Sequence, residues 1–215
     1  MKNLNNKIKK IKIIIKRLAD LYPDAKIHLK YNSAFELLIS TILSAQCTDE
    51  LVNKVMVPLY KEKYKTPKDI LNDGIDNFRN NIKSINFYNN KSKSIFKLCE
   101  ILEKKYNGNV PNSLEELTEL PGIGRKSANV ILGNYFGKKD AIIVDTHFKR
   151  VTSRLGLTEN NDSEKIELEL KELVPPSEQF DFSIRIGEHG RIICKAKSPK
   201  CDECNLNDIC PSAYK

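Results

Sequence analysis

The sequence lacks any apolar run long enough to cross a bilayer. Its longest, "LLISTIL" within Ala34 to Ala45, is short and polar at its ends, so a helix buried in a protein core is expected and a membrane span is not. The first residues, "MKNLNNKIKKIKIIIK", carry neither the continuous apolar stretch nor the small-residue cleavage site of a secretory signal, which points to a cytosolic location. No segment alternates apolar and polar residues between hairpin turns, which excludes a β fold. There is no low-complexity linker and no convincing repeat, which excludes a solenoid. Histidine is scarce: the three present, His28, His147 and His189, show no metal-ligand or triad spacing and read as structural.

What is present is basic charge and clustered cysteine. The 215 residues have room for one large domain or two small ones. Lysine and arginine number 36 against 28 aspartates and glutamates, a net charge of +8. Such an excess favours an anionic partner, and nucleic acid fits better than a membrane surface. Two of the six cysteines, Cys47 and Cys99, stand alone, while Cys194, Cys201, Cys204 and Cys210 crowd together. In a reducing compartment such a crowd marks a metal or cluster site more often than disulfides.

Helical periodicity runs through nearly the whole chain. Ile11, Ile14, Ile15, Leu18 and Tyr22 recur at helical spacing with lysines largely off that face. Residues 34 to 45 are apolar almost all round and predict a central helix. In the following "SAQCTDE", Thr48 is placed to cap a helix that Asp49 and Glu50 suit electrostatically, so Gln46 falls at a helix-to-helix junction. Further helices are predicted over 49–63, 67–72, 76–83, 90–106, 113–118, 125–136, 145–155, 163–173 and 178–193. The fold class is all-α.

The segment "SLEELTELPGIGRKSANVIL" reads as helix, turn, helix. Ser113 can cap the first helix with Glu116 three residues on, and Pro121 ends it. Gly122 and Gly124 permit positive φ and close backbone approach. The amides of the turn and of the next helix's first turn then form an anion site. A tight helix corner is the alternative. The order Leu-Pro-Gly-Ile-Gly, a basic residue and a helix resembles the helix-hairpin-helix that grips DNA backbone without reading sequence. Lys126 lies in the first turn beside Arg125, where the dipole and its neighbour disfavour an ammonium and so favour the nucleophilic amine. A plain phosphate contact is the competing role. In "AIIVDTHFKRVTSRLGL", Asp145 follows an apolar run and precedes a basic helix, where a carboxylate stays ionised.

The spacing C-x6-C-x2-C-x5-C from Cys194 to Cys210 offers only one short C-x2-C hook, where structural zinc sites usually pair two. With Pro211 after the last cysteine, it suits a [4Fe-4S] cluster better than zinc. Lys195, Lys197 and Lys200 lie between the first two cysteines, so a cluster would pin a basic loop against phosphates.

"LPGIGRKSANVIL" and "VDTH" together resemble the endonuclease III family of DNA glycosylases with lyase activity, and the cysteine spacing matches the cluster loop of the same family. "LLISTILSAQCTD", "FYNNKSKSI" and "HGRIIC" fall in the family's order. The resemblance implies a helix-hairpin-helix glycosylase fold. A six-helix barrel domain would span 28–138, with the hairpin at about 113–136. A helical domain from 1–27 and 139–215 would carry the cluster loop 194–210, and the DNA cleft would lie between the two. Lys126 would attack C1′ of the damaged nucleotide with Asp145 assisting. The four clustered cysteines would hold a [4Fe-4S] cluster. Gln46 and the loop around Phe87 would fill the gap left by a flipped-out base, with Gly122, Gly124, Arg125 and the three loop lysines on the backbone. The implied partner is double-stranded DNA with a damaged base or abasic site, met by a monomer. The substrates would be oxidised pyrimidines, with strand cleavage by β-elimination.

Asn86 and Phe87 stand where the family commonly has glycine and leucine, and Ser127 replaces a frequent threonine. An adenine-mismatch glycosylase of the same fold is the nearest alternative. Those enzymes typically lack the lysine and carry a carboxylate on the helix before the junction, and Leu37 to Gln46 holds none. Other monofunctional glycosylases, a non-catalytic DNA-binding module and a small electron carrier are the remaining readings. The last two leave the pairing of Lys126 with Asp145 and the large basic body without a purpose.

Overall fold

A computed structural model describes residues 2–214. Eleven α-helices occur among the described residues, with no strand. They are α1 (Lys2–Leu21), α2 (Ala34–Leu43), α3 (Asp49–Glu62), α4 (Pro67–Asp73), α5 (Ile75–Asn81), α6 (Tyr88–Tyr106), α7 (Leu114–Thr118), α8 (Arg125–Asn134), α9 (Thr146–Arg154), α10 (Ser163–Leu173) and α11 (Gln179–Ile192). None of them is long and apolar enough to cross a membrane. Three single-turn 3-10 segments, Pro176–Glu178, Cys201–Glu203 and Asn207–Ile209, complete the helical content. The apolar pattern does not announce them, since each is too short to repeat a period.

The chain divides into two compact units, residues 28–137 and residues 1–27 with 138–215. In the first, α2 is the hub. Every residue from Phe35 to Leu43 is buried, because α3, α6 and α8 all pack on it. A helix with company on several sides needs apolar residues all round. Ser33 caps its start by accepting from the Glu36 amide (3.1 Å). Thr48 caps α3 in the same way through the Leu51 amide (3.2 Å).

The second unit has its own core. Ile11, Ile14 and Leu18 of α1 join Phe148, Val151, Ile166, Leu170, Phe182, Ile186 and Leu206, and the Phe148 and Phe182 rings meet edge to face at 5.9 Å. Helices α9 and α11 approach closely at Gly190, where a Cβ would lie 2.9 Å from His147 Cβ and 3.1 Å from Val151 Cγ2. The buried run Ala141–Val144 is neither helix nor strand. Its backbone partner is α11: the Ile143 amide donates to Ser183 Oγ (3.1 Å), and Lys139 C=O accepts from the Phe180 amide (3.0 Å).

Candidate nucleic-acid interface and metal centre

The turn between α7 and α8 is assembled locally. Ser113 accepts from the Glu116 amide (3.2 Å) and donates to its carboxylate (2.8 Å). The Ile123 amide turns back to Leu120 C=O (3.1 Å), and Gly124 serves as N-cap of α8. Gly122 has φ +86°, and a Cβ there would sit 3.5 Å from Ile42 and from Ser94, so α2 and α6 support the turn from behind. Gly124 departs from expectation. With φ −99° and ψ 175° it is extended backbone that any residue adopts, and a Cβ would meet nothing within 4 Å. Packing inside the chain therefore does not demand glycine at 124. What glycine supplies there is bare backbone facing outward, as an approaching phosphate needs.

α8 opens without a side-chain cap and without an acidic residue in its first turn. The bond from the Ala128 amide to Gly124 C=O (3.0 Å) closes that turn, and the amides ahead of it form the positive end of the helix. Arg125 is half-buried there and Lys126 is exposed.

Asp145 belongs to the other unit. Its carboxylate caps α9 by accepting from the Phe148 amide (2.7 Å). The second oxygen is 3.6 Å from Arg191 of α11. Both features hold the carboxylate in one orientation.

Gln46 and Phe87 lie 41 positions apart in sequence, on neighbouring loops of the 28–137 unit. Both are exposed, and both are non-glycine residues in the left-handed region, with φ of 53° and 59°. Asn86 connects them, its side-chain amide donating to Gln46 C=O (2.8 Å). Lys91, buried in the first turns of α6, donates to Leu43 C=O (2.8 Å) and Ala45 C=O (2.6 Å) at the end of α2. Burial lowers the pKa of this lysine from its ordinary value. An ammonium at a helix C-terminus also answers the dipole.

The four clustered cysteines are free thiols that line one cavity of about 330 Å³ together with Arg154 and Ile193. Burial raises the Cys204 thiol, and neighbouring Cys194, Cys210 and Cys201 raise it further. Among the described residues, no three His, Cys, Asp or Glu side chains converge as ligands of a single metal ion. The four thiols share one space, and the single short C-x2-C hook in their spacing suits a polynuclear cluster better than zinc.

Sequence reasoning missed the residues that shape this loop. Arg150 donates to Gly190 C=O (2.8 Å) and Cys194 C=O (3.1 Å). Arg154 donates to Lys195 C=O (2.7 Å) and Ala196 C=O (3.0 Å) and lies 3.4 Å from Cys194 Sγ. Their spacing of four on α9 puts both guanidinium groups on one face, and that was the available signal. His189, read as structural, is buried with Nε2 3.4 Å from Cys204 Sγ and Nδ1 3.2 Å from Tyr22 Oη. Lys195 and Lys197 are exposed on the loop, whereas Lys200 is already paired with Glu203 (2.9 Å).

The helical turn with its open amide end and the thiol-lined cavity define a class that the comparisons also reach. Residues 39–176 match the model of the HhH-GPD superfamily base excision DNA repair proteins. Residues 194–210 match the iron-sulfur binding domain of endonuclease III, and the cofactor is a [4Fe-4S] cluster. Endonuclease III of Synechocystis sp. is 43% identical over 91% of this chain and 89% of its own. Two solved structures, a non-covalent endonuclease III–DNA complex and a trapped endonuclease III–DNA covalent intermediate, each superpose with a TM-score of 0.90 at 42% identity over 96% of both chains. The chain belongs to the endonuclease III family.

Proposed function

We propose that this protein is a bifunctional DNA glycosylase and abasic-site lyase that removes oxidised pyrimidines in the cytoplasm, where the DNA is. The observation that carries the reading is Lys126, exposed in the first turn of α8 directly after a glycine turn at a helix start that has no side-chain cap. A trapped covalent intermediate of a 42% identical relative supports it. Residues 28–138 supply the hairpin and the nucleophile, and residues 1–27 with 139–215 supply the carboxylate and the cluster.

The damaged nucleotide must leave the stack, because its glycosidic carbon is not accessible inside the duplex. The turn amides and Arg125 hold the backbone. The Lys126 amine attacks C1′ as the C1′–N bond breaks, and the base departs with that electron pair. Asp145 stabilises the positive charge that develops on the sugar. The bound amine loses a proton, and the C1′–O4′ bond then breaks with O4′ taking up a proton, which leaves a protonated Schiff base at C1′. Removal of a C2′ proton then breaks the C3′–O bond, and the 3′ phosphate departs with that electron pair. Cys194, Cys201, Cys204 and Cys210 would hold the [4Fe-4S] cluster, which fixes the shape of the basic loop.

Parallel incubation with duplexes containing thymine glycol, uracil or an adenine mismatch tests the assignment. Base release and nicking are expected on thymine glycol alone. Release of adenine without nicking would point to the mismatch glycosylases instead.

The loop lysines are expected to act on any duplex alike. Neutralising Lys195 and Lys197 together should reduce the log-log salt slope of binding by about 2. Lys200→Ala should change it less, since Glu203 already shares that charge. A slope unchanged by the double variant would leave the loop a solvated face.

A further inference from the structure

Among the described residues five non-glycine residues have left-handed backbones, and two of them, the exposed Gln46 and Phe87, are brought together. Here they occur on adjoining loops, and contacts from one segment hold the loop of the other. Three carbonyls of the α2–α3 junction are held from the start of α6 and the loop just before it. Lys91 takes the carbonyls of Leu43 and Ala45, and Asn86 takes the carbonyl of Gln46. The Phe87 carbonyl in turn accepts from the amides of Asn90 and Lys91 (both 3.1 Å), so the strained residue is the entry to the helix that carries the buried lysine. The bonds from Lys91 are buried or partly buried and charge-assisted. The bond from Asn86 is exposed, and it reaches the strained residue itself.

We propose that Asn86 is a positioning residue: its side chain, with Lys91 securing the carbonyls before it, locks Gln46 in the left-handed conformation and ties it to Phe87, so that both side chains enter a duplex as one preformed body. The inference rests on the reading that Gln46 and Phe87 occupy the space left by the flipped nucleotide. It adds that neither is placed independently. Asparagine at 86 supplies a donor that a glycine there would lack. In return the loop gives up freedom before DNA arrives instead of during insertion, which lowers the cost of forming the flipped state.

The test uses the full-length holoprotein and two substrates. One carries thymine glycol paired with adenine, and the other carries thymine glycol opposite an abasic-site analogue, where no partner base needs replacing. Asn86→Ala is expected to lower kcat on the paired substrate roughly tenfold, the scale of one lost hydrogen bond, with KM little changed. On the unpaired substrate its kcat should match the wild type. A 2-aminopurine placed opposite the lesion should unstack more slowly with Asn86→Ala. In a double-mutant cycle, Asn86→Ala added to Gln46→Ala should cost almost nothing further, because the donor acts only through Gln46.

Equal losses on both substrates, or losses that multiply in the double variant, would overturn the proposal. Should Gln46→Ala itself leave the paired substrate unaffected, the gap-filling reading falls and the positioning role falls with it. Lys91→Met, checked for helical content and cluster absorbance, gives a second measurement. If folded, it too should slow the paired substrate selectively, and a uniform loss would count against a shared clamp.

Discussion

Replacing Lys126 with glutamine should abolish both borohydride-trapped adduct and strand cleavage while leaving binding to abasic DNA intact. Borohydride reduces an imine, so a trapped protein–DNA species requires an amine bonded to C1′. Glutamine keeps much of the stem and removes the nucleophile, and α8 does not need the lysine for its own stability. Its first turn has no acidic partner for a positive charge, and an exposed residue at that position contributes little packing. The expected loss is on the order of 10³-fold or more in nicking, as for other removed nucleophiles. Asp145→Asn separates charge from architecture, since the asparagine oxygen can still accept from the Phe148 amide that the carboxylate now engages. That variant should retain some cleavage of a pre-formed abasic site and lose base removal, the step in which more positive charge develops. An undiminished adduct with Lys126→Gln would move the nucleophile elsewhere.

Loss of one cluster ligand should have the second large effect. Cys201→Ala is expected to lose the broad visible absorption of an iron–sulfur cluster and to destabilise the 1–27 with 138–215 unit by on the order of 4 kcal/mol or more. The reason lies in what the loop is attached to. Leu206, between the third and fourth cysteines, is fully buried in that unit's core, and Cys194, Cys204, Ile209 and Cys210 pack against it. Arg17 of α1 reaches back to Asn205 C=O (2.8 Å) and Asp208. Without the cluster, thiols must remain grouped around a cavity, and the core residue between them loses its anchor. Thermal unfolding followed by circular dichroism alongside absorbance checks this. Colour lost with an unchanged unfolding midpoint would show that the cluster carries no structural weight.

The hairpin and the cysteine tail were legible in the sequence because each is a local device. Leu-Pro-Gly-Ile-Gly fixes its turn within a few residues, and the cysteine spacing is set by how far a short loop can curl. Caps were legible for the same reason: Thr48 and Ser113 both accept from the amide three residues on. What stayed hidden joins residues far apart in sequence. The bond from Asn86 to Gln46 spans 40 positions, and those from Arg154 to the cluster loop span 41 and 42. Nothing in the local pattern of "KSINFYNN" or "RVTSR" says which carbonyl a polar side chain will find. Gly124 was misjudged for another reason. A glycine in a turn suggests positive φ, yet Gly122 alone makes the left-handed step, and the next glycine is extended.

The division of the chain also orders its synthesis. Residues 28–137 are contiguous and can close their core as soon as they leave the ribosome. Helix α1, made earlier, must wait: Ile11, Ile14 and Leu18 find Phe182, Ile186 and Leu206 only after the entire intervening unit has been translated. Long-range closure of this kind is slow and leaves an apolar stripe exposed meanwhile. Iron insertion comes later still, because Cys210 is the last of the four thiols to emerge. A nascent chain therefore carries the hairpin before it carries the last cysteine, and the first helix made is among the last to find its place.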